Sequence, residues 1–189
     1  NASHPAWEAF KTNRMREQGY GVLLAGYRGY LGNPGKPSEA GFYADGEAYL
    51  KWLQQTYPDS PLILYGESLG SGVAVALAIR HSPAALVLEV PFKSALSVAQ
   101  RLYWYVPFID LMMLDPYRSD LKISQVHAPV LFLLAGEDDV VTAEAGEELF
   151  ALANEPKYKV LFPKAHHSDI YASGAEAELM KFLEGVFKK

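Results

Sequence analysis

The strongest constraint on this chain is a stretch of five residues. Gly66-Glu67-Ser68-Leu69-Gly70 follows the apolar run Leu62-Ile63-Leu64-Tyr65 and opens a segment in which Leu69, Val73, Ala76 and Leu77 recur at i, i+4, i+7 and i+8. The run reads as a strand and the recurrence as a helix, so the pentapeptide must turn one into the other within its own length. A serine in the middle of such a turn takes a strained backbone, and flanking glycines keep side chains from colliding where the helix leaves the strand. The turn raises the Ser68 hydroxyl into solvent at the C-terminal edge of a sheet. The first helical N–H groups, that of Leu69 foremost, are left without intrahelical partners beside it.

The remainder of the chain repeats that grammar. Gly21 to Ala25, Pro61 to Tyr65, Ala85 to Glu89, Val130 to Ala135 and Lys159 to Phe162 are short apolar runs, expected as strands of a mostly parallel sheet buried on both faces. Between them, Trp7, Phe10 and Met15 predict a first helix, and Tyr49, Trp52, Leu53 and Tyr57 the apolar face of a second. Ala145, Leu149 and Leu152 mark another, and Leu179, Phe182, Leu183 and Val186 a final one. Residues 93–126 break the alternation. They hold helical pieces, no strand, and the cluster Leu102-Tyr103-Trp104-Tyr105-Val106-Pro107-Phe108-Ile109, as expected of a helical insertion between strands.

At 189 residues and 50% hydrophobic, the chain fits one α/β domain over residues 1–189. Its 17 basic and 22 acidic residues leave a formal charge of −5, with no surplus to neutralise a phosphate backbone, which excludes nucleic acid as partner. The absence of cysteine excludes disulfides, cysteine-ligated zinc and a thiol nucleophile, and leaves the compartment undetermined. The apolar runs are far short of the ~20 residues of a spanning helix. No targeting segment is visible, although the chain opens at Asn1-Ala2-Ser3 without a methionine.

A serine hydroxyl is a weak nucleophile and needs a histidine base oriented by a carboxylate. After the strand Val130 to Ala135, Gly136-Glu137-Asp138-Asp139-Val140-Val141-Thr142 offers Asp138 and Asp139. After the last strand, Ala165-His166-His167-Ser168-Asp169 offers two histidines, so the order is serine, acid, histidine. Adjacent histidines lack the i, i+4 spacing of ligands on one helix face, so no metal is expected. His4, His81 and His127 have no partner pattern and read as structural or exposed.

These residues resemble the α/β-hydrolase superfamily, and within it the branch whose oxyanion motif reads His-Gly-Asn-Ala-Gly, which includes protein depalmitoylases and bacterial esterases. Tyr27-Arg28-Gly29-Tyr30 with Gly35-Lys36-Pro37-Ser38-Glu39 is similar to the branch's loop after an early strand; Pro91-Phe92 and Asp115-Pro116-Tyr117 are similar to the start and exit of its cap. The resemblance implies an α/β-hydrolase fold with a small helical cap at 93–126, its N-terminal strands absent from this chain. It favours Asp139 over the alternative Asp138, because Gly followed three residues later by Asp-Val resembles the family's acid loop. It favours His167 over His166, because His-Ser-Asp resembles the relatives' His-Asn-Asp. Asn1-Ala2-Ser3 would be the end of the oxyanion motif, making the N–H groups of Leu69 and Asn1 the two oxyanion donors.

The activity implied is a serine hydrolase, cleaving carboxylic esters or thioesters of an apolar acyl substrate through an acyl-enzyme without a cofactor. The alternatives are a peptidase on the same fold and a catalytically weak binding module. Tyr103, Trp104, Phe108 and Met112 would line an acyl pocket, or else pack the insertion onto the body. The expected partner is a small-molecule or acylated-protein substrate, with membrane association through a missing N-terminal segment. The setting would then be cytoplasmic or membrane-associated.

Overall fold

The computed structural model describes residues 9–30 and 32–187. A 3₁₀ turn at Ala9–Thr12 runs into α1 (Asn13–Glu17), and α2 spans Glu39–Thr56. Then come β1 (Ile63–Glu67), α3 (Leu69–His81) and β2 (Ala85–Glu89). Helices α4 (Ala95–Leu102) and α5 (Ile109–Met112) and a 3₁₀ turn at Ile123–Gln125 precede β3 (Val130–Ala135). The fold closes with α6 (Ala143–Leu152), β4 (Lys157–Phe162) and α7 (Ala175–Phe187). The four strands pair in the order β1-β2-β3-β4, all parallel, with Ile63 opposite Ala85, Leu86 opposite Val130 and Val130 opposite Lys157.

Successive strand residues face opposite ways, and β2 and β3 are apolar and buried at nearly every position because both faces are covered. Leu86, Leu88, Phe132 and Leu134 point into one core with Phe42 and Leu50 of α2, Val73 and Leu77 of α3 and Leu149 of α6. Ala85, Val87, Leu131 and Leu133 point into the other, closed by Leu179, Phe182 and Leu183 of α7. Each such Leu contributes about 1.5–3 kcal/mol on burial, so the two layers fix the sheet's register.

The expected strands at Ala85 to Glu89 and Val130 to Ala135 form with those bounds, while the one expected at Pro61 begins at Ile63 and the last begins at Lys157. The strand expected at Gly21 to Ala25 does not form. Among the described residues the run pairs with no strand of the sheet, and Val22 and Leu24 are exposed; backbone without a ladder partner is not a strand however apolar its side chains. Helix α2 forms, yet it buries Phe42, Gly46 and Leu50 and leaves Trp52 and Tyr57 half exposed. The true contact line passes through Gly46, where an added Cβ would come within 2.6 Å of Leu77 Cδ1.

Segment 93–126 holds helices and no strand. Ser94 and Ser97 cap α4 reciprocally, through Ser97 N–H to Ser94 Oγ (2.9 Å) and Ser94 N–H to Ser97 Oγ (3.2 Å). The far end is tied to α2: Asp115 Oδ1 accepts the Glu39 N–H (2.7 Å), and Glu39 Oε2 accepts that of Tyr117 (2.8 Å). Because all strands run the same way, the loops after β1, β3 and β4 open on one edge of the sheet.

Candidate active site

Ser68 sits between β1 and α3 at φ 50°, ψ −118°, a backbone strain that the surroundings hold in place. Its N–H donates to the Glu89 carbonyl at the end of β2 (2.9 Å), and its own carbonyl accepts from both the N–H (2.9 Å) and the Oγ (2.6 Å) of Ser71. Gly66 is required by space, since a Cβ there would lie 2.5 Å from the Gly70 carbonyl oxygen and 2.7 Å from Ala74 Cβ. At the second glycine the described residues leave room: among them nothing comes closer to a Cβ on Gly70 than Tyr27 Oη, at 3.9 Å. Leu69 is the first residue of α3, so its N–H is not consumed by the helix.

The loops after β3 and β4 are stitched together by Gly136 N–H to the Phe162 carbonyl (2.9 Å) and Glu137 N–H to that of Ala165 (2.9 Å). Out of the first comes Asp138, buried, with Oδ1 accepting the N–H groups of Val140 (2.8 Å) and Val141 (2.7 Å). Its Oδ2 accepts from His167 Nδ1 at 2.7 Å. With Nδ1 donating to the carboxylate, the neutral ring presents a lone pair on Nε2, which lies 3.0 Å from Ser68 Oγ. Serine, histidine and aspartate thus form one hydrogen-bonded line across three loops.

The carboxylate in that line corrects the expectation. Asp139 is exposed and does not reach His167; its carbonyl oxygen accepts from the Arg101 guanidinium of α4. The reason is local: the turn in which one Asp138 oxygen takes two following backbone N–H groups points that carboxylate inward and leaves its neighbour outside. Of the two histidines, His166 turns away, Nδ1 donating to the Glu137 carbonyl (2.8 Å), while Asp169 Oδ1 accepts its backbone N–H (2.6 Å) and shapes the loop.

Asn1 lies outside the described residues. Tyr103, Trp104, Phe108 and Met112 do not enclose a pocket: Trp104 is 82% exposed and Phe108 72%, and neither of two surface cavities, about 660 and 170 Å³, is lined by any of the four. Contact with the body is made by Ala95, Val98 and Ala99 of α4. From Leu102 to Leu114 the chain breaks into short turns whose large apolar side chains are mostly exposed, before Tyr117, Ile123 and Val126 return to the core. The stretch nonetheless starts beside the acid loop, since Arg101 also donates to the Val140 carbonyl (2.9 Å).

Sequence reasoning missed a second polar group. Glu89 is fully buried, and Lys11 Nζ donates to its Oε1 (3.1 Å) and to Glu67 Oε2 (2.7 Å). Tyr65 donates its hydroxyl proton to Glu89 Oε2, and the hydroxyls of Tyr65 and Tyr171 are 3.2 Å apart. Burial, reinforced by Glu67 and opposed by Lys11, pushes the Glu89 carboxyl up to about 7. The available signal was a carboxylate closing the otherwise apolar strand Ala85-Leu86-Val87-Leu88-Glu89.

The family model described as serine aminopeptidase, S33, matches residues 3–115. An uncharacterised protein of Mycobacterium tuberculosis is 46% identical over 171 residues, covering 89% of this chain and 60% of that protein. The lysophosphatidylserine lipase ABHD12 of Danio rerio is 35% identical over 156 residues, covering 74% of this chain and 41% of its own length. The chain therefore spans about 60% or less of these relatives. Among solved structures, a monoacylglycerol lipase of Paleococcus ferrophilus superposes with a TM-score of 0.74 at 16% identity, over 98% of this chain and 91% of that one. An esterase of Pyrococcus furiosus gives 0.72 at 18%, over 90% and 72%. The parallel sheet, its covering helices and these matches agree: the chain has the α/β-hydrolase fold and belongs to the serine aminopeptidase S33 family.

Proposed function

We propose that this chain carries the active site of a serine hydrolase that cleaves carboxylic esters or thioesters of apolar acyl groups. The observation that carries the proposal is the line Ser68 Oγ, His167 and Asp138, joined at 3.0 and 2.7 Å. In the first step His167 Nε2 takes the hydroxyl proton as Ser68 Oγ attacks the carbonyl carbon, and the oxyanion forms against the Leu69 N–H. Asp138 holds the tautomer and stabilises the imidazolium. The protonated Nε2 then passes its proton to the leaving alcohol or thiol, leaving an acyl-Ser68 ester. Water, deprotonated by the same nitrogen, attacks that ester and releases the acid. Asn1 would supply the second oxyanion donor, as its place in the family's motif implies.

The apolar acyl preference rests on the aromatic stretch of segment 93–126, the proposed cap. Tyr103, Trp104, Phe108 and Met112 offer an uncharged surface starting next to the acid loop, on which an acyl chain or an acylated protein can lie. The lipase and esterase names among the relatives point the same way. A fluorophosphonate probe, with the labelled peptide mapped by mass, tests the nucleophile: labelling at Ser68 is expected, and an unlabelled Ser68 in folded protein overturns the reading. A chain-length series of p-nitrophenyl esters and acyl thioesters, run beside aminoacyl amides, tests the substrate. Faster turnover of the amides would replace the esterase with a peptidase.

A further inference from the structure

The charged group around Glu89 takes no part in the proposed reaction, yet it is built from pieces of the site. It draws on four stretches of chain: Lys11 from the 3₁₀ turn, Tyr65 and Glu67 from β1, Glu89 from β2, and Tyr171 from the loop that carries His167. The Lys11 ammonium also stands 5.0 Å from the centre of the Tyr171 ring. As a stabilising device such a cluster is poor, because well-packed apolar residues of similar volume commonly do as well or better. What it connects is more telling. Glu67 is bonded to Ser68 through the peptide linkage, and the Glu89 carbonyl receives the Ser68 N–H at 2.9 Å.

We propose that Lys11 is a positioning residue for Ser68, its ammonium cross-linking the two residues that fix the nucleophile's backbone on either side. The inference rests on the reading of Ser68 as nucleophile. Ser68, at φ 50° and ψ −118°, lies outside even the left-handed helical well and is kept there by its surroundings, and here one buried cation ties the ends of β1 and β2 under the strained turn. Because the Lys11 and Glu89 side chains are almost wholly buried, they cannot touch an acyl group. Their effect falls on the alignment of Ser68 Oγ with His167, not on substrate binding. Among the described residues the titratable groups facing Glu89 are Lys11, Glu67, Tyr65 and Tyr171, and Tyr171 in turn feels the charge of Glu176 of α7. Without Lys11, burial and Glu67 raise the Glu89 carboxyl further, opposed by the Tyr65 hydrogen bond, and the group shifts towards its neutral form instead of standing as an unpaired charge.

The test compares wild type, Lys11→Met and Lys11→Met/Glu89→Gln, measuring kcat and KM on a short-chain ester, the rate of fluorophosphonate labelling at Ser68, and Tm. Lys11→Met is expected to lower kcat and the labelling rate by about tenfold or more while KM stays within about twofold, since misalignment of reacting atoms acts on the chemical step. The double variant should regain Tm, having no carboxylate to bury, and still react slowly. A kcat that returns with Tm assigns Lys11 to stability alone and overturns the proposal, as does wild-type reactivity in both variants. Should Lys11→Met fail to fold, the double variant decides. Wild-type protein that is not labelled at Ser68 is a different result: it removes the nucleophile, not merely its support.

Discussion

Of the five described non-glycine residues with positive φ, Ser68 and Phe108 are held in opposite ways. Ser68, at φ 50°, is fixed by its own N–H, by two donors on its carbonyl and by the close approach of α3 to Gly66. Phe108, at φ 58°, is followed by a helix of four residues, is 72% exposed, and has neighbours, Trp104, Leu111 and Met112, that are equally bare. Strain that is over-determined preserves a geometry, whereas strain on an uncovered loop leaves it free to adapt. The first region is suited to aligning atoms, the second to accommodating apolar surfaces of different shapes.

The contrast breaks most sharply at Ser68 itself. Ser68→Ala is expected to abolish turnover, by about 10⁴-fold or more in kcat, with Tm changed little because the turn's backbone contacts remain. Next comes the acid. Asp138→Asn should lower kcat by about 10⁴-fold through the wrong histidine tautomer, while Asp139→Asn, checked in the same assay, stays within about threefold, as an exposed substitution should. Equal losses for the two would mean that the acid loop is not held as described.

Packing under the turn gives a smaller effect. Gly66→Ala should destabilise by about 1–3 kcal/mol and Gly70→Ala by clearly less, read as denaturant midpoints. Glu89 supplies a pH signature with a definite sign. Its carboxyl, about 7 in the fold against an ordinary 4.5, binds a proton more tightly folded than unfolded. The associated stability is therefore complete below about 4.5 and lost as pH rises through about 7. The Tm of wild type relative to Glu89→Gln should fall across that window, and parallel curves would remove the buried carboxyl from the account. Smallest of all, Trp104→Ala and Phe108→Ala should each change stability by no more than about 0.5 kcal/mol, while raising KM for long-chain esters more than for short ones. A stability loss like that of Gly66→Ala would show that the stretch is packed after all.

The elements legible in the sequence are those whose cause is local. Ala85 to Glu89 and Val130 to Ala135 are continuous apolar runs between turn residues, and the serine turn carries its constraint in adjacent positions. Gly21 to Ala25 looks the same in sequence, but a strand exists only beside a partner, which no window along the chain can display. The face of α2 is hidden because its contact line runs through Gly46, a residue that an apolar pattern passes over. Asp138 and Asp139 cannot be told apart without the turn that aims one carboxylate at His167. Lys11 and Glu89 are 78 positions apart, and nothing near either one announces the other.

The line from Ser68 to His167 spans 99 positions of chain, and two strands of the sheet, β2 and β3, lie between those that lead into their loops. During synthesis the serine turn leaves the ribosome with its helix long before the histidine loop is made, and domains fold as units once their parts exist. A nascent chain that has reached the end of β2 therefore carries the hydroxyl but neither the acid nor the base that would activate it. Reactivity would appear only when β4 docks and carries His167 across. The serine turn is thus among the first parts of the site to be made, and the loop that completes its hydrogen-bonded line the last.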